Sequence, residues 1–187
     1  MKRSLYKLIF LKLMGWKIVG SVSKDTKKYI LLVVPHTSWH DFYLGVFTRG
    51  ILGQKMNFVA KKELFRFPLG AYFRWMGGAP LNRAKNENKV EAIAAIFAQR
   101  EEFRLAIAPE GTRKKVTTWK TGFYYIAQKA NVPVVPVAFD WGKKEVRLGK
   151  PYFTTDNIDN DIAALETFFI GVVGKVPAYS YKPNTII

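Results

Sequence analysis

The chain has 187 residues, of which 49% are hydrophobic and 15% aromatic, a composition that fits one domain with a sizeable core and excludes a disordered or fibrous chain. It contains no cysteine and two histidines, which excludes disulfides, thiolate zinc sites, cysteine nucleophiles and any polyhistidine metal site built without carboxylates, and suits a reducing compartment. Lys and Arg number 30 against 14 Asp and Glu, a formal net charge of +16, and such a field attracts nucleic acid, an anionic membrane surface, or acidic substrates and carrier proteins.

Residues 1–19 are rich in Leu, Ile, Phe and Trp, but Lys2, Arg3, Lys7, Lys12 and Lys17 interrupt them. No uncharged run there reaches the roughly 18–20 apolar residues of a transmembrane helix. Lys12 also breaks what would be the apolar region of a signal peptide. The lysines do not gather on one face, so the expectation is a helix lying in a membrane interface, its lysines reaching to the headgroups. An ordinary helix packed on the domain is the competing reading. The chain is thereby divided into a membrane-associating helical segment over residues 1–28 and a domain over residues 29–187.

Residues 29–34 are apolar, rich in β-formers and stopped by Pro35, and read as a buried strand. Ser38-Trp39-His40-Asp41 opens a helix through about Gly50, and residues 57–60 read as a second strand. Gly77-Gly78-Ala79-Pro80 breaks the chain before Leu81-Asn82-Arg83. Asn86 or Asn88 caps the next helix, whose Val90, Ile93 and Phe97 fall at helical spacing. Residues 105–108 form a strand that delivers Pro109 and Glu110 at its end. Residues 122–130 read as a helix with Asn131 near its C-cap, and residues 132–139 as a buried strand whose path Pro133 and Pro136 constrain. A short strand over 146–148 and a helix over 159–170 with an acidic start complete the order. Alternating strands and helices predict a single three-layer α/β domain, a mixed and mostly parallel sheet flanked by helices, with the N-terminal interfacial helix added. In such sheets the chemistry collects beyond strand ends, where His36 and Glu110 both fall.

His36 and Asp41 are five positions apart, about one helical turn plus a bend, so a base and an orienting carboxylate can meet. A neutral imidazole with one nitrogen free and the other proton held by a carboxylate can take a proton from an alcohol. Ser38-x-x-Asp41 is also a capping box, and the residues alone leave the two roles open. His40, four residues after His36, lacks the partners of a helical zinc pair, so no metal is expected and His40 reads as a partly exposed helix residue. In Glu110-Gly111-Thr112-Arg113, Gly111 permits close backbone approach, Thr112 can donate, and Arg113 can grip a phosphate. Glu110 repels phosphate and suits holding a cation or a substrate hydroxyl; a polar turn with an exposed arginine is the plainer alternative. Arg83, behind a second Gly-containing turn, would let two arginines share a dianionic group.

These blocks, in this order, resemble the glycerolipid acyltransferase family of the 1-acylglycerol-3-phosphate acyltransferase type, and particularly its short bacterial members. The resemblance runs from about Tyr29 to Phe139. His36-x-x-x-x-Asp41 matches the catalytic block and residues 77–83, ending in Arg83, the substrate-phosphate block. Glu110, Gly111, Thr112 and Arg113 match a further substrate-binding block, and residues 132–136, ending in Pro136, the block placed near the acyl donor. Pro35 and Pro80 depart from residues common in the family. The resemblance implies an O-acyltransferase of phospholipid biosynthesis that binds no cofactor and uses acyl-CoA or acyl-ACP as donor. It implies direct transfer to a lysophospholipid, with His36 as base and Asp41 orienting it, on a peripheral protein at the cytoplasmic face of the cell membrane. Its expected partners are an anionic membrane surface, the lysophospholipid acceptor, and coenzyme A or acyl carrier protein, with no nucleic acid. The alternatives are an acyltransferase for another lysolipid or alcohol, and a basic membrane- or nucleic-acid-binding protein without catalysis.

Overall fold

A computed structural model describes residues 2–81 and 88–183 of the chain. Helix α1 (Lys2–Lys7) continues into a π-helical turn (Leu8–Leu13), and strand β1 (Lys17–Val19) follows. The helical stretch thus stops short of Val19, at a left-handed Gly15 (φ 71°), and Trp16 turns inward at 3% exposure. Residues 17–19, expected as helix, pair with the sheet.

Strand β2 (Lys28–Val34) leads to α2 (Asp41–Leu52), then β3 (Phe58–Lys61), a 3₁₀ turn (Lys62–Phe65), α3 (Gly70–Trp75) and β4 (Gly78–Leu81). After residues 82–87 come α4 (Lys89–Gln99), β5 (Phe103–Ile107), α5 (Gly122–Ala130), β6 (Val134–Asp140), β7 (Glu145–Leu148) and α6 (Ile158–Thr167). Asn88 caps α4 by accepting from the Val90 amide at 3.0 Å; the other candidate cap, Asn86, lies outside the described residues. Asn131 ends α5 in the left-handed region, as its side chain tolerates.

The main sheet has the order β1-β7-β6-β2-β5. β2 is parallel to both β5 and β6, β1 is parallel to β7, and only the β6–β7 pair is antiparallel. β2 is apolar on both faces because both are covered. Ile30, Leu32 and Val34 pack toward α4, α5 and α6 in one core. Tyr29, Leu31 and Val33 pack toward α2 and the N-terminal helix in the other, which also contains Phe10, Trp16 and Val22. The result is three layers, with the 1–28 segment supplying both core side chains and an edge strand.

Gly77-Gly78-Ala79-Pro80 is not a simple break. Gly78, Ala79 and Pro80 lie in β4, which pairs in parallel with β3 as a separate two-stranded sheet. Its small residues serve close packing: a Cβ on Gly78 would stand 2.8 Å from both the Phe65 ring and the Phe73 carbonyl oxygen. Asn57 joins this sheet to the main one, donating to the Arg104 carbonyl at 2.7 Å and accepting from the Ala106 amide at 2.8 Å.

Candidate active site

Three adjacent parallel strands end at one edge of the sheet. β2 runs out into Pro35 and His36, β5 into Pro109 and Glu110, and β6 into Trp141. Parallel pairing makes this convergence obligatory, since all three chains leave at their carboxyl ends.

His36 Nδ1 lies 3.1 Å from Asp41 Oδ2. The same oxygen accepts the backbone amides of Thr37 and Ser38, each at 3.0 Å. The other oxygen, Oδ1, accepts the Trp141 indole N–H at 2.8 Å. The capping contacts and the contact to the His36 ring therefore coexist on one carboxylate. The capping box is half formed: Ser38 gives its amide to Asp41, while the Ser38 hydroxyl contacts His40 Nδ1 at 2.7 Å. An anionic Asp41 beside Nδ1 favours the tautomer with its proton there, which leaves Nε2 as a base. Trp39 stacks on His40 with ring centroids 4.0 Å apart.

Glu110 points inward at 2% exposure, and its Oε2 accepts the His36 amide at 2.6 Å. Burial pushes its pKa up to about 7, against the lowering effect of the His36 amide and ring charge, and Asp41 raises it further. Its placement anchors the His36 turn through Oε2. Gly111 has φ 63°, and a Cβ there would meet the Lys120 side chain, 2.7 Å from Nζ. Lys120 thus lies across the Glu110–Arg113 turn, a second cation that no motif marked. Thr112 and Arg113 are exposed, and the Thr112 hydroxyl accepts the Lys114 amide at 3.3 Å. Arg83 lies outside the described residues.

A cavity of about 390 Å³ opens at His36, Asp41 and Arg113 and has the size of a small-molecule site. Its floor is the sheet, through Leu31, Val33, Ala106, Val137 and Phe139, and its wall is α2. Phe58, Phe73 and Met76 complete the apolar lining. Pro136 is not in the lining: alternation along β6 turns Val137 and Phe139 to the cavity and Pro136 to the opposite face. Pro136 stands at the end of the β6–β7 ladder, opposite Gly149, which donates to its carbonyl at 2.8 Å.

The chain after α6 returns to the site. Thr37 Oγ1 accepts the Val176 amide at 3.1 Å, and Lys175 Nζ sits 4.6 Å from the centroid of the Trp141 ring. The Tyr181 hydroxyl donates to Glu166, and Trp119 packs on Tyr181. Among the described residues no group of three or more His, Asp or Glu could hold a metal ion.

The family model described as Acyltransferase matches residues 16–140. A chloroplastic 1-acyl-sn-glycerol-3-phosphate acyltransferase of Brassica napus is 32% identical over 54% of this chain and 31% of its own length. The 1-acyl-sn-glycerol-3-phosphate acyltransferase of Bacillus subtilis is 28% identical over 76% of each chain. The chain spans about a third of the length of the plant relative. The crystal structure of the 1-acyl-sn-glycerophosphate acyltransferase PlsC of Thermotoga maritima superposes with a TM-score of 0.61, at 20% identity, over 89% of this chain and 74% of that one; at that identity the likeness concerns the fold.

Proposed function

The chain belongs to the acyltransferase family, and on that premise we propose that it moves a fatty acyl group from an acyl thioester, on coenzyme A or acyl carrier protein, to the free hydroxyl of a lysophospholipid, 1-acylglycerol-3-phosphate foremost. The observation that carries this reading is the His36–Asp41 contact of 3.1 Å at the mouth of an apolar cavity. A base there faces both a water-exposed cationic rim and a lining that suits an alkyl chain.

The acceptor hydroxyl attacks the thioester carbonyl while His36 Nε2 takes its proton. Asp41 stabilises the imidazolium. The tetrahedral oxyanion collapses, the C–S bond breaks, and the imidazolium returns the proton to the departing thiolate. A thiolate leaves readily, so no covalent enzyme intermediate is needed. Arg113 grips the acceptor phosphate from the cavity rim, with Lys120 beside the same turn and Arg83 as a further clamp. Glu110 holds the His36 backbone, and residues 134–140 wall the cavity through Val137 and Phe139. The chain works as a peripheral protein on the cytoplasmic face of the cell membrane. No helix among the described residues is long and apolar enough to cross a bilayer.

The test is thioester consumption against a panel of lysolipids and other alcohols, with products identified by mass. The expected result is one acylated lysophospholipid, formed by the unsubstituted chain and lost in His36→Ala. Near-full turnover by His36→Ala would remove the base mechanism. Turnover on an alcohol without phosphate would remove the phosphate clamp. Vesicle binding with no turnover on any acceptor would favour a basic binding protein.

A further inference from the structure

The lobe between β3 and β4 carries an apolar face that nothing among the described residues covers. Phe67 is 98% exposed and Trp75 69%, and Leu64, Leu69 and Tyr72 are exposed beside them. Residues 55–75 hold Lys55, Lys61, Lys62, Arg66 and Arg74 against the single acid Glu63. Phe73 of α3 and Met76 just after it line the cavity that His36 also lines. Arg49 of α2 donates to the carbonyl oxygens of Trp75 and Met76, which ties the lobe to the helix that carries Asp41.

We propose that residues 62–75 form a bilayer-inserting surface, distinct from the N-terminal segment, which seats Phe67 and Trp75 among the acyl chains of an anionic membrane and sets its cations at the headgroups. Trp and Tyr settle at the level of the headgroups because their rings are apolar with a polar edge. Lys and Arg flanking an exposed apolar face add attraction to anionic lipid. A second copy of this chain is the poorer occupant, because it would bring the same excess of cations against this one. Seated so, the lobe would have lipid on its outer side and the apolar cavity on its inner side, so an acyl chain would pass between them without crossing water. This reading rests on the acyltransferase proposal for its purpose, though not for its geometry.

The experiment uses the full chain and co-flotation with two vesicle sets, one of phosphatidylcholine alone and one also containing phosphatidylglycerol, at low and high salt and without substrates. Phe67→Ser with Trp75→Ser should lower vesicle partitioning at high salt by about tenfold or more, since two large apolar side chains leave the bilayer. Arg66→Gln should weaken only the low-salt binding to phosphatidylglycerol vesicles, because salt screens that attraction. Phe67→Ser alone should show the same direction as the pair, with an unchanged melting temperature, because the side chain is 98% exposed. Transfer to a detergent-dispersed acceptor should be unchanged in the double variant. If the unsubstituted chain shows no transfer while the double variant still loses vesicle binding, the surface stands and the enzymatic reading falls. If the double variant binds vesicles as the unsubstituted chain does, or if it instead turns a dimer into a monomer in sedimentation, the bilayer surface is overturned.

Discussion

Asp41 makes both of the contacts that its spacing allowed. Its two oxygens divide the work: Oδ2 takes the His36 ring and two backbone amides, and Oδ1 takes the Trp141 indole. The His36–Asp41 pairing was legible at five residues' separation. Trp141 was not, because a contact across 100 residues leaves no local pattern. Trp141→Phe keeps most of the packing and removes the donor. A hydrogen bond to a charged group is worth about 1.5–3 kcal/mol, so kcat should fall by roughly tenfold or more while KM for either substrate moves little. Steady-state thioester kinetics measured beside the melting temperature separate the possibilities, and a lower Tm with unchanged kcat would make Trp141 a packing residue. Glu110 gives a second outcome, in stability. Its folded pKa of about 7 lies above the ordinary 4.5, so the protonated form favours folding. Its contribution is complete below about pH 4.5 and is lost as pH rises through about 7, by up to about 3 kcal/mol. Glu110→Gln cannot titrate, so urea unfolding between pH 5 and 8 should show the stability difference moving in favour of the Gln variant as pH rises. A constant difference would mean that Glu110 binds its proton equally in the folded and unfolded chain, with no raised pKa on folding.

At the scale of elements, strands with continuous apolar runs and helices with clear caps were legible: β2, β5, β6, α4 and α5 all fall where their patterns put them. The failures share a cause. Gly77-Gly78-Ala79-Pro80 has the composition of a turn, yet small residues also serve where two backbones or a ring must approach closely. Residues 17–19 continue a helix-like apolar run, yet Gly15 ends the helix and β7 offers a free edge, so pairing overrides periodicity. Both outcomes depend on partners far along the chain. Gly78→Ala tests the first. Its Cβ would stand 2.8 Å from the Phe73 carbonyl oxygen, a backbone atom that cannot swing aside. Overpacking of this kind costs about 1–3 kcal/mol. The substitution should lower Tm and, because Phe73 and Met76 line the cavity, reduce turnover of long-chain donors more than of short-chain ones. A Gly78→Ala protein with unaltered Tm would return this segment to the status of a tolerant turn.

For the whole molecule, the N-terminal segment and the rest of the chain are mechanically one object. Phe10 is fully buried, stacked between Trp16 at 5.6 Å and Phe47 at 5.3 Å. Trp16 meets Trp141 edge-on at 4.9 Å, and Trp141 in turn holds Asp41. The exposed Leu5, Leu8, Leu11 and Leu13 lie on the same short segment, so it has both a packing role and a surface free for lipid. Removing residues 1–19 deletes an edge strand and two buried aromatics. Truncating one such side chain costs about 3–5 kcal/mol, against a total stability of about 5–15 kcal/mol for an ordinary domain. The truncated chain should therefore lose its cooperative thermal transition, and with it activity on soluble as well as vesicle-bound acceptor. Replacing Leu5, Leu8, Leu11 and Leu13 with Ser in the full chain should act differently: Tm stays within a few degrees, because exposed positions carry little stability, while salt-resistant vesicle binding falls. Circular dichroism melts and vesicle co-flotation on the two proteins decide the matter. If the truncated chain melts as the full one does, residues 1–19 are an appended anchor; if the four-serine chain binds vesicles undiminished, the segment is a packing element and the remaining surface must hold the membrane.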